Sequence, residues 1–153
     1  MRITVSIVED NRGTRESLGE LLGRASTLRC IGSHADGESA LSKIPQEKPD
    51  VVLMDINLPG MNGIECVSRL KEQLPQTQVL MLTTYEESDL IFDSLRSGAS
   101  GYLLKNAPPK ELIAAIEQVH AGGSPMSMQI ARKVVSHFRQ IKQPSSEMEQ
   151  LTQ

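Results

Sequence analysis

The stretch VVLMDINLPGMNG, residues 51–63, decides the fold. Val51 to Met54 is an aliphatic run without a polar break, short for a helix and too apolar for a strand with one face in water. Such a run reads as a strand covered on both faces, the habit of parallel sheets layered between helices. It stops at Asp55, and Pro59-Gly60 and Asn62-Gly63 follow, so the chain turns there. Asn62 then caps a helix whose apolar face is Ile64, Val67 and Leu70, with Glu65 three residues beyond the cap. Strand, acidic turn and helix make one βα unit.

The same unit recurs on both sides. Apolar runs at Ile3 to Val8, Leu28 to Gly32, Val79 to Leu82 and Gly101 to Leu104 supply four more strands. A first helix presents Leu18, Leu21, Leu22 and Ala25; a short second spans about Asp36 to Ile44. A fourth, Ser88 to Ser97, closes at Gly98. A fifth, with Leu112, Ile116 and Val119, opens after Pro108-Pro109 and stops at Gly122-Gly123. Five βα units predict an α/β chain with an open, doubly wound five-stranded parallel sheet and right-handed crossovers.

A sixth helical stretch, Met126 to Lys142, has Ile130, Val134, Phe138 and Ile141 on one face and Arg132, Lys133, Arg139 and Lys142 elsewhere. Its apolar stripe either packs on the same domain or continues as a helical linker and dimer element. QPSSEMEQ then reads as a linker. The expected division is 1–122 for the main domain, 123–142 for the extra C-terminal helix and 143–153 for a flexible linker.

Composition narrows the function. With 39% hydrophobic and 23% charged residues, the 153-residue chain has the balance of a globular domain. Only 3% are aromatic and none is Trp, which argues against base stacking on single-stranded nucleic acid. A net charge of −3 argues against direct DNA contact by this segment. Cys30 and Cys66 have no metal-ligand spacing and are read as reduced thiols. No run has the length of a membrane span, and the opening MRITVSIVEDN turns acidic at once, unlike a signal peptide. A cytoplasmic location without a membrane partner is expected.

In open α/β sheets, ligands bind beyond the carboxyl ends of the strands. Those ends carry Glu9 and Asp10, Asp55 and Asn57, Thr83 and Thr84, and Lys105. In the strand order 2-1-3-4-5, Asp55 falls between the Glu9/Asp10 end and the Thr83 end. Lys105 starts about 10 Å away, a gap its stem largely spans. Three carboxylates at one edge repel one another, and a divalent cation relieves them. Mg²⁺ suits such a set, since it takes hard oxygens and commonly shares them with a phosphate. Asp55 then serves as a carboxylate nucleophile, while the metal, the Thr83 hydroxyl and the Lys105 ammonium share the charge of the phosphoryl oxygens. Taken singly, each residue has an ordinary role: Glu9-Asp10 a polar turn, Asp55 a cap, Tyr102 a strand aromatic, Lys105 a solvated side chain. His34, His120 and His137 lack metal spacing and a neighbouring nucleophile, and are read as surface or helix residues.

VED at 8–10, LMDINLPGMNG at 53–63, MLTTY at 81–85 and GASGYLLK at 98–105 together resemble a response-regulator receiver domain of a two-component system, over residues 2 to about 122. The resemblance implies a flavodoxin-like fold and a phospho-switch with at most slow self-dephosphorylation. Residue by residue, it implies Asp55 as phosphoacceptor, with Thr83 and Lys105 as its catalytic partners. Glu9, Asp10, Asp55 and the Asn57 backbone carbonyl become the Mg²⁺ ligands, Thr83 and Tyr102 the switch pair. Phosphorylation then draws Thr83 and Lys105 towards the new oxygens and lets Tyr102 turn inward. Implied partners are a sensor histidine kinase and a second copy of the chain when phosphorylated. Asn106 after the lysine, APPKELIAAI and HAGGSPMS lean towards NarL/FixJ-like regulators, with the implication of transcription control through a LuxR-type helix-turn-helix. The closing LTQ resembles the start of that DNA-binding domain, as if the chain were cut before it. Two departures stand out: Glu9 where the family commonly has Asp, and Asn106 where many members have a cis-bonded Pro.

Two other classes fit less well. A phosphohydrolase with an aspartate nucleophile wants a second Asp where this chain has Asn57. A flavodoxin wants a phosphate-binding loop where this chain has Glu9-Asp10.

Overall fold

A computed structural model describes residues 2–151, with side chains described for 2–140. Strands β1 (Ile3–Val8), β2 (Leu28–His34), β3 (Val51–Met54), β4 (Gln78–Thr83) and β5 (Gly101–Leu104) form one sheet in the order β2-β1-β3-β4-β5. Every neighbouring pair is parallel. The helices are α1 (Arg12–Arg24), α2 (Gly37–Glu47), α3 (Gly63–Gln73), α4 (Ser88–Arg96), α5 (Pro109–His120) and α6 (Met128–Leu151). None is long and apolar enough to cross a membrane.

The sheet separates two cores. Val5, Ile7, Leu53, Leu80 and Leu103 face Leu22 of α1 and Leu112, Ile116 and Val119 of α5. Val8, Val52, Met54, Met81 and Tyr102 face Ile44, Val67, Leu70 and Ile91 on the other side. The near-continuous apolar runs are therefore the mark of strands buried twice over. Asn11, Asp36 and Asn62 each cap a helix, accepting from the main-chain N–H of Thr14, Ser39 and Glu65.

Four details depart from the sequence reading. Helix α2 continues past Ile44 and through Pro45, because Lys48 N–H still bonds the Ile44 carbonyl and Glu47 is anchored to Ser6 at 2.8 Å. Strand β2 reaches His34, two residues beyond Gly32, after a bulge opposite Val5 and Ser6. A Cβ on Gly32 would stand 2.2 Å from the Glu47 carboxylate, so a larger residue there would push that side chain aside. The backbone of α6 begins at Met128 and runs to Leu151, past the start of the expected linker at 143. Side chains from 141 on, and residues 152 and 153 entirely, lie outside the described residues.

Candidate functional site

Strand register builds the site. Val8 pairs with Met54 and Met54 with Met81, so the residues that follow, Glu9 and Asp55, emerge side by side. The main chain locks the level: Asp55 N–H donates to the Val8 carbonyl at 3.1 Å, and Lys105 N–H to the Thr83 carbonyl at 2.9 Å. Glu9, Asp10 and Asp55 can each direct a carboxylate oxygen to within 4.8 Å of the others. Asp10 is exposed, while Glu9 and Asp55 are only 2% and 4% exposed. One rim of the cluster is thus open to water and the other is dry.

Two buried carboxylates need a counter-charge. The Lys105 ammonium lies 2.5 Å from Glu9 Oε1 and 2.8 Å from Asp55 Oδ2. Burial alone pushes the Glu9 carboxyl up, and the nearby Asp55 adds to that, against the pull of Lys105 and the Asn11 N–H. For Lys105, burial works against the charge, but its bonds to Asp55 and Glu9 outweigh it and the net shift is upward. The lysine stays an ammonium, an electrostatic clamp and never a base.

Thr83 is fully buried, and its hydroxyl is a distant acceptor, 3.5 Å from Tyr85 N. Tyr102 is buried as well, and its hydroxyl donates to the Tyr85 carbonyl at 2.9 Å. Burial pushes this phenol far up, so it is a neutral donor. Asn57 is exposed beside the cluster, with its N–H 3.4 Å from Asp55 Oδ1. Thr84 is exposed. The Lys105–Asn106 bond is trans, there being no cis peptide among the described residues.

The structure therefore brings together Glu9, Asp10, Asp55, Asn57 and Lys105, with Thr83 buried at the end of β4 and Tyr102 buried on β5. Tyr102 points inward while Lys105 holds Asp55. The physical reason is a cover on its strand: Met126 bridges to it, and Ile130 of α6 shares its cluster.

Three further residues matter that the motifs did not flag. A Cβ on Gly63 would lie 1.9 Å from the Asp55 carbonyl oxygen, so only glycine lets α3 start against the acceptor. Arg15 donates to the Glu9 carbonyl at 2.8 Å and steadies the acidic turn. His34 is no surface residue: it is 4% exposed, its carbonyl accepts from Glu9 N at 2.9 Å, and its ring lies 3.0 Å from Glu47. Its place at the end of a strand running two residues longer than its apolar pattern hid it.

A family profile described as "Response regulator receiver domain" matches residues 5–117. Among curated relatives, the oxygen regulatory protein NreC of Staphylococcus haemolyticus is 33% identical over 135 residues, covering 88% of this chain and 62% of that protein. The transcriptional regulatory protein LnrK of Bacillus subtilis is 36% identical over 141 residues, covering 92% and 64%. This chain thus spans a little under two thirds of those relatives. Among solved structures, a LuxR-family two-component response regulator from Aurantimonas is 30% identical with a TM-score of 0.85, over 90% of this chain and 98% of that one. The receiver domain of the NarL regulator of Mycobacterium tuberculosis is also 30% identical, with a TM-score of 0.75 over 79% and 98%. With a profile matched over most of its length, a sheet of the same build and an acidic cluster at the strand ends, the chain belongs to the response-regulator receiver domains, of the LuxR-family type.

Proposed function

We propose that Asp55 accepts a phosphoryl group from a sensor histidine kinase and that Lys105 and Thr83 stabilise the product. The observation that carries this reading is the Lys105 ammonium bonded at once to Asp55 and Glu9, with Asp10 at the open rim. An Asp55 carboxylate oxygen attacks phosphorus, the bond from phosphorus to the donor nitrogen breaks, and an aspartyl phosphate forms. No base is needed, because a carboxylate nucleophile has no proton to lose. Lys105 follows the charge from the carboxylate to the phosphoryl oxygens, and the Thr83 hydroxyl donates to another.

The donor set fits Mg²⁺: carboxylates of Glu9, Asp10 and Asp55 with the Asn57 main-chain carbonyl, all hard oxygens. When bound, the ion supplies positive charge that neutralises the carboxylates and the phosphoryl oxygens. The longer Glu9 reaches the cluster from a buried start, so Glu in place of the commoner Asp is accommodated.

Phosphorylation adds nearly two negative charges at Asp55, and the switch responds only by its different interaction with two states of the Thr83–Tyr102 face. The output is dimerisation, and control of transcription through a DNA-binding domain such as a LuxR-type helix-turn-helix. Residues 1–122 are the receiver, and the chain from 123 on, with α6, is the connection to that domain, in a cytoplasmic protein. The chain is a switch with at most slow self-dephosphorylation, not an enzyme with turnover.

Intact mass after incubation with Mg²⁺ and acetyl phosphate tests this. One phosphoryl adduct is expected, absent without metal and absent in Asp55→Asn. Steady hydrolysis of acetyl phosphate by Asp55→Asn, or no adduct on folded protein, would overturn it.

A further inference from the structure

β5 is not left as a bare edge. Tyr102 N–H donates to the Pro125 carbonyl at 3.0 Å, and the Tyr102 carbonyl accepts from Ser127 N–H at 3.1 Å. From there α6 crosses to α4. Ile130 is fully buried, and the His137 ring lies 4.0 Å from that of Phe92 on α4. Between them the Lys133 ammonium donates to the Glu86 carbonyl, in the loop joining β4 to α4.

That loop is therefore held from two sides at adjacent residues. Tyr102 grips the Tyr85 carbonyl from beneath, and Lys133 grips the Glu86 carbonyl from above. The same loop begins at Thr83, whose hydroxyl is bonded only weakly, to Tyr85 N at 3.5 Å. We propose that residues 131–140 form a strap over the β4–α4 loop, docked while Asp55 is unmodified and released when it is phosphorylated. This rests on the reading of Asp55 as acceptor and Thr83 as its responding hydroxyl.

Drawing Thr83 towards a phosphoryl oxygen carries the loop with it, and Glu86 then leaves the reach of Lys133. The strap gives way readily because it is lightly held. Its start is anchored by fully buried Ile130, but beyond that the outward face keeps Val135 and Phe138 at 50% and 60% exposure, so docking of residues 131–140 rests on Lys133 and His137. Release of α6 thus adds a moving part to the Thr83–Tyr102 switch.

Coupling of this kind is reciprocal. The test is hydrogen exchange on the whole 153-residue chain, with and without Mg²⁺ and beryllofluoride as a phosphoryl mimic. Amides of 131–140 should exchange about tenfold faster with the mimic, an effect absent in Asp55→Asn. Lys133→Gln, a surface change that leaves the fold intact, should loosen α6 without the mimic. It should also tighten beryllofluoride binding by a matching factor. If the mimic protects amides around Asp55 while 131–140 exchange as before, or more slowly, the strap is wrong. If the mimic leaves both regions unchanged, the acceptor reading fails, and the strap falls with it.

Discussion

At the scale of the residue, the site is a problem in buried charge. Glu9 and Asp55 face each other almost dry, and Lys105 is the group that makes this tolerable. Lys105→Met keeps the stem and removes the charge, so phosphorylation by acetyl phosphate should slow about a hundredfold. Rates read from intact mass would check it, and an unchanged rate would remove Lys105 from the mechanism. Gly63→Ala tests the close approach behind Asp55: a methyl group cannot sit 1.9 Å from a carbonyl oxygen, so strand end and helix must part. A loss of about 1–3 kcal/mol is expected in a urea melt, together with slower phosphorylation. Thiol chemistry gives a third check. Burial pushes the Cys66 thiol up to about 12 and also raises Cys30. Only the thiolate is nucleophilic, so very little of Cys66 is reactive at pH 8. Iodoacetamide should leave Cys66 unlabelled until the protein is unfolded, whereas rapid labelling in the native state would contradict its burial. Of these residues, the acidic ones and Lys105 were legible because chemistry marks a strand end. Gly63 was legible only as a turn residue, since nothing in a sequence says which backbone a glycine must touch.

At the scale of the element, α6 separates pattern from packing. The stripe Ile130, Val134, Phe138 advances by fours, and each step of four overshoots a full helical turn. By Phe138 the stripe has rotated out to 60% exposure, and His137 has taken the place against Phe92. The sequence left open whether this helix docks or extends; Ile130, fully buried, shows that its first turns dock. Ile130→Ala should therefore cost about 2–4 kcal/mol in a urea melt, as a core truncation does. A loss near zero would mean that α6 stands free of the domain in solution. The end of α2 was misread for a related reason: Pro45 announces a stop, but it forfeits one bond, and Lys48 N–H closes the next turn at 2.9 Å.

At the scale of the whole molecule, the parallel sheet was legible because continuous apolar runs demand two covered faces; its order is the common five-stranded solution, which makes neighbours of the acidic ends. The order β2-β1-β3-β4-β5 puts β3 in the middle, and Asp55 is where its carboxyl end meets the acids of β1. The edge beyond β5 was not legible. Its cover comes from a main-chain bridge at Met126, which leaves no mark in side-chain pattern. The central claim is that one particular carboxylate, Asp55, carries the phosphoryl group. The most direct measurement is borohydride reduction of the phosphorylated chain, followed by peptide sequencing, since reduction turns an acyl phosphate into an alcohol. Homoserine at position 55, and nowhere else, is the predicted result. 5-Hydroxynorvaline at position 9, homoserine at position 10, or a phosphoryl group that survives on a serine, threonine or histidine, would contradict it.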